Sequence, residues 1–111
     1  MKDGIYHVKF ASTMGAAGEG LVVVKSRSVN GGDVGYLYQG SLDSDTTEQL
    51  RGQLQVQRWN AGHVSVFGPL GDLALNLSGH GVNDGFTVGG GMPGQPNLKT
   101  TIAGRMLAQA A

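Results

Sequence analysis

The chain has 111 residues, enough for one domain with a real core. Lys plus Arg and Asp plus Glu are each 8, so the formal net charge is zero, which argues against a nucleic-acid binder held by phosphate contacts. Hydrophobic residues make up 40% and charged ones 14%, the reverse of a disordered chain, and with no cysteine there is no disulfide, thiolate metal site or catalytic thiol.

The N-terminal residues Met1 to Ile5 carry one base and one acid, and no run of signal-peptide or membrane-helix length follows. The expectation is a soluble cytoplasmic protein. Glycine supplies 20 residues, about two and a half times its usual share, without a collagen period. Each interior glycine costs a helix roughly 1 kcal/mol relative to alanine, so helices are disfavoured almost everywhere.

Alternation of apolar and polar residues takes the place of helical periodicity. Tyr6, Val8 and Phe10 alternate with His7 and Lys9. Leu21 to Val24 are apolar on both faces, so Leu21 and Val23 are expected to lie against something: a second copy, the C-terminal segment or the 89–97 connection. Asn30-Gly31 reads as a hairpin turn, because a type I′ turn needs positive φ at both central residues. Val34, Tyr36, Tyr38 and Leu42 share the next inward face. Asp43 to Glu48 is a polar turn. Leu50, Leu54 and Val56 alternate with Arg51, Gln53, Gln55 and Gln57, and the strand ends near Trp59, a second candidate contact. Leu73, Leu75 and Leu77 alternate with Asp72, Ala74, Asn76 and Ser78. Breaks fall at Asn60-Ala61-Gly62, Gly68-Pro69 and Asn83-Asp84-Gly85. The 89–97 stretch is expected to be the longest connection.

Eight strands are therefore predicted, at about 4–11, 18–26, 33–42, 49–59, 63–67, 72–79, 85–89 and 98–108, the last open to a short terminal helix. Short strands with hairpin connections suggest a meander that closes on itself and so loses its edges. The fold expected for residues 1–111 is all-β: one eight-stranded antiparallel up-and-down β-barrel, lipocalin- or calycin-like in shape. Its interior is either filled by side chains or holds one small ligand. Tyr6, Val8, Phe10, Tyr36, Tyr38, Leu54, Leu73 and Leu75 are predicted to line it.

Sequence motifs for catalysis or metal binding are weak. Gly89 to Gly94 fits G-x-G-x-x-G, but prolines and a strand-like segment follow instead of a helix that could hold a pyrophosphate. Asp43 to Glu48 opens like a calcium loop, yet Glu48 stands where the loop needs glycine and Leu54 where it needs glutamate. His7, His63 and His80 have no metal-ligand spacing. No serine sits in a nucleophile elbow, so no catalytic residue, metal or cofactor is predicted.

A series of short elements is more informative. Lys2-Asp3-Gly4-Ile5-Tyr6 is followed by Gly18-Glu19-Gly20-Leu21, Asn30-Gly31-Gly32-Asp33, Tyr38-Gln39-Gly40 with Leu42 and the acidic turn, and Arg58-Trp59-Asn60. In this order and spacing, residues 2–60 resemble the GrlR family, small negative regulators of type III secretion gene expression. The resemblance implies an eight-stranded barrel with an apolar cavity, a homodimer, and no contact with DNA. It implies binding to a helix-turn-helix activator through an exposed run of four acids. The matching positions are Asp43, Asp45 and Glu48, interrupted here by Ser44, Thr46 and Thr47. The expected function is thus a non-enzymatic module that binds a protein partner through Asp43, Asp45 and Glu48 and pairs with itself through Leu21 and Val23. The alternative is a barrel carrying a lipid or small apolar ligand, and an enzyme is disfavoured.

Overall fold

A computed structural model describes residues 1–13, 17–45, 47–60, 62, 72–92 and 95–111; for 92 and 95–98 it describes the backbone alone. Eight strands follow in order: β1 (Gly4–Ser12), β2 (Ala17–Lys25), β3 (Ser28–Gly32), β4 (Tyr36–Ser44), β5 (Gln49–Arg58), β6 (Asp72–Val82), β7 (Gly85–Met92) and β8 (Gln95–Ala108). Each pairs antiparallel with the next, and β1 pairs with β8 to close the barrel. The described residues contain no helix. The expected all-β up-and-down barrel is the one observed.

Apolar residues at alternate positions point inward because successive side chains leave a strand on opposite faces. One row around the wall runs Tyr6, Val22, Gly31, Tyr38, Val56, Leu73. Another runs Gly4, Val24, Val29, Gly40, Leu54, Leu75. Glycine and bulky residues alternate along such rows, which is how a narrow barrel fills its taper. Phe86 shows the logic: it lies opposite Gly104, and a Cβ there would run into the ring. Tilted aromatic pairs join Tyr6 to Phe86 and Phe10 to Tyr38, with centroids 5.4 and 4.9 Å apart.

Several expectations needed correction. Asn30-Gly31 is not the hairpin turn but lies within β3, in register with Tyr38, Gln39, Val22 and Val23. The turn is Ser26-Arg27, at φ 50° and 73°. Neither residue carries the usual left-handed signal, and a five-residue strand with two glycines has no clear alternation. The strand expected from residue 33 begins at Tyr36, so Val34 is not inward but 65% exposed on a turn. Gly89 to Met92 continue β7 instead of forming a long connection, and β8 is strand through Ala108 with no terminal helix. The outward face of β2 is not covered by the C-terminal segment or the 89–97 stretch: Leu21 and Val23 are 50% and 39% exposed. The strand expected at 63–67 lies outside the described residues; β5 pairs directly with β6.

Candidate functional site

The acidic positions collect at one end of the barrel, where β1 starts and β2, β4, β6 and β8 finish. Asp43 is the penultimate residue of β4. Its carboxylate accepts from Arg27 Nη1 at 3.2 Å, and both side chains are well exposed. Asp45 builds the turn. Its Oδ1 accepts from Thr47 N at 2.8 Å, Thr47 Oγ1 at 2.7 Å and Gln49 N at 3.0 Å. The Thr47 hydroxyl, then the Gln49 and Thr47 amides, hold the Asp45 carboxyl below the usual aspartate range, because all three stabilise the charged form. Glu48 adopts φ 61°, which few non-glycine residues do. Its carbonyl accepts from Gly81 N at 2.8 Å, and its carboxylate takes the Met1 ammonium at 3.1 Å. The Glu48 side chain remains 54% exposed.

All three acids are therefore exposed at one tip, in different situations. Asp45 is engaged by its own turn. Asp43 and Glu48 each pair with one described cation; the Arg27–Asp43 pair is exposed on both sides and holds weakly, at about 0–1 kcal/mol, whereas Met1 is only 3% exposed beside Glu48. Sequence reasoning missed Arg27, since no local pattern places the β2–β3 turn beside Asp43. The neighbouring backbone explains it: Leu42 N donates to Arg27 O at 2.9 Å, and Ser26 N donates to Asp3 Oδ1 at 3.1 Å.

The other end holds a second organised group. Asp33 Oδ1 accepts from Gly35 N and Tyr36 N, both at 2.8 Å, and its other oxygen takes the Tyr38 hydroxyl. Burial, then the Asp33 carboxylate, pushes the Tyr38 phenol far up. The segment after β5 clasps this turn. Trp59 Nε1 donates to Asp33 O at 3.0 Å, Asn60 Nδ2 to Val34 O at 3.0 Å, and the Trp59 amide to Gly35 O at 3.0 Å. Arg58 Nε donates to the Tyr36 hydroxyl at 3.1 Å, and its guanidinium stacks over that ring. Trp59 itself stays 56% exposed.

The residues predicted to line the interior, Tyr6, Val8, Phe10, Tyr36, Tyr38, Leu54, Leu73 and Leu75, are all buried inside the barrel. They leave little space. The internal void bordered by Val8, Phe10, Leu54 and Phe86 measures about 20 Å³. A drug-sized ligand needs a pocket of several hundred Å³. Among the described residues Thr100 is the buried polar one of the core, and its hydroxyl meets no hydrogen-bond partner there.

His7 and His80 lie on outward strand faces, and His7 Nε2 meets Glu19 Oε2 at 2.7 Å. His63 lies outside the described residues. Among the described residues no three His, Asp or Glu side chains converge in a metal-binding group. Among the described residues no helix is long and apolar enough to cross a membrane.

Comparison with known protein families matches residues 1–109 to the family described as T3SS negative regulator, GrlR. The match runs through the second half of the chain, well beyond residues 2–60. No curated protein matches the chain.

Proposed function

We propose a function from the premise that the match supplies: the chain belongs to the GrlR family of T3SS negative regulators. It acts by binding rather than by catalysis, in the cytoplasm. Its target is a protein, of the helix-turn-helix activator class that the family resemblance implies, and its contact is the acidic tip. The observation that carries this reading is the exposure of Asp43 and Glu48 on a tip shaped by Asp45. A basic partner surface can displace the weak Arg27–Asp43 pair and reach the exposed Glu48 carboxylate, and complementary charge speeds its approach. Asp45 acts as the former of the turn. The protein pairs with a second copy through Val23 and Leu21, the exposed apolar residues of β2.

The alternative, a carrier of a lipid or small apolar ligand, has less support, because the void of about 20 Å³ is smaller than any lipid chain.

The test is titration of the activator with the unaltered protein and with the double variant Asp43→Lys/Glu48→Lys. Asp45 is left in place so that the turn persists. Loss of affinity of about tenfold or more, shrinking as salt is added, is the expected result. Equal affinity for both proteins would overturn the acidic-tip reading.

A further inference from the structure

The far end of the barrel carries a surface that the acidic tip does not use. A shallow groove there is lined by Glu19, Leu21, Val34, Trp59 and Asn60, with Gly20, Gly32 and Asp33 at its floor. It lies where Leu21 is in register with Gly32, next to the Asp33 turn. Trp59 closes one side. Its indole N–H is already satisfied by Asp33 O, and the backbone clasp to Gly35 holds the ring in place. A fixed aromatic of this kind costs little entropy to engage, and tryptophan is enriched among residues that dominate interfaces.

The charge of the groove selects the occupant. Its described lining contains two acids and no base. Among the described residues Asp33 accepts from neutral donors, the Tyr38 hydroxyl and two amides, and none of these cancels its negative charge. Glu19 shares one oxygen with His7 but is 68% exposed. Apolar walls with negative charge at floor and lip complement an apolar side chain flanked by Lys or Arg.

We propose that this groove docks a basic amphipathic segment of a protein partner, with an apolar side chain seated between Val34 and Trp59. The site lies at the opposite end from the acidic tip and does not depend on it. One partner could engage both ends only by spanning the barrel.

Trp59 is the sole tryptophan of the chain, so its emission reports on the groove directly. The experiment titrates the full protein with a tryptophan-free amphipathic helix of leucine and lysine, and separately with its leucine–glutamate counterpart. The expected result is a saturable blue shift with the lysine peptide alone, weakened by salt. Val34→Lys should abolish it, because it removes an apolar wall and repels the peptide's lysines; this residue is 65% exposed on a turn, so the variant keeps the fold. Glu19→Lys should weaken it by about fivefold or more, as expected when a rim charge is reversed. No shift with the lysine peptide, an equal shift with the glutamate peptide, or persistence in Val34→Lys would each overturn the proposal. Asp43→Lys/Glu48→Lys should leave the shift intact, so failure here and failure of the acidic tip are separable.

Discussion

Gly104 lies directly opposite Phe86 across the β7–β8 ladder, and its bare Cα is what lets the aromatic ring cross the barrel interior. A Cβ at 104 would sit 2.9 Å from Cδ1 of that ring and closer still to the carbons beyond. The ring also packs against Tyr6, with centroids 5.4 Å apart, which limits how far it can give way. Gly104→Ala should therefore destabilise the fold by about 1–3 kcal/mol, the usual cost of overpacking a core. Urea denaturation measures it. Adding Phe86→Leu should restore part of the loss, and a double variant no better than the sum of the singles would show that the two sites are independent.

Thr100 offers the opposite change. Its hydroxyl is buried without a partner, and an unmet buried donor costs about 1–3 kcal/mol. Thr100→Val keeps the shape and removes that group. Stability should rise by about 1 kcal/mol. A destabilised Thr100→Val protein would mean that the hydroxyl is satisfied in solution.

The β2–β3 turn is strained for a similar reason. Ser26 and Arg27 both occupy the left-handed region, which asparagine and glycine adopt at lower cost. Ser26→Asn/Arg27→Gly should raise stability by about 1 kcal/mol. The lost Arg27–Asp43 pair is exposed and offsets only a fraction of that. Thermal melts of the variant should shift upward by a few degrees, as such a gain implies.

The pH dependence has two limbs with opposite signs. The Asp45 carboxyl is held below its ordinary 3.8 in the folded protein. Its contribution is present above the unfolded value and fades as pH falls through the folded one. Acid titration of stability should show this loss below about pH 4, and Asp45→Asn should flatten it. Tyr6 and Tyr38 are raised, chiefly by burial. They favour the protonated folded state, so their contribution is intact below the ordinary value of 10.0 and falls as pH rises above it. Alkaline unfolding should be delayed by Tyr38→Phe, provided the lost bond to Asp33 costs less than the deprotonation.

Self-association is tested by a charge on the exposed face of β2. Val23 is in register with Ile5 on one side and Asn30 on the other, all on the outer wall. Val23→Asp should convert a dimer to a monomer in native mass spectrometry while leaving the barrel folded. A protein that is monomeric before the change would remove the self-association reading.

Much of the barrel was readable from the strands with clean alternation. β1, β5 and β6 were placed within a few residues, because one buried face imposes a period of two that turns cannot hide. β3 was invisible for the converse reason. Its Gly31 and Gly32 are required by neighbours on other strands: a side chain at 31 would strike the Leu21 carbonyl, and one at 32 the Tyr36 carbonyl. In the sequence the same two glycines look like a turn. The acids at Asp43, Asp45 and Glu48 were legible as a polar turn, but their unequal roles were not, since Asp45 differs from the others only in what its carboxylate reaches.

The sequence by itself determined the class of fold, the inward residues of the cleanly alternating strands and the family resemblance. These follow from local periodicity and from short motifs in a fixed order, both of which are one-dimensional properties. The register of β1 against β8, the pairing of Arg27 with Asp43, and the clasp of Trp59 over the Asp33 turn were decided only by the tertiary structure. Each joins residues far apart in the chain through backbone register. Register is set by the summed packing of the whole core, and no single segment encodes it.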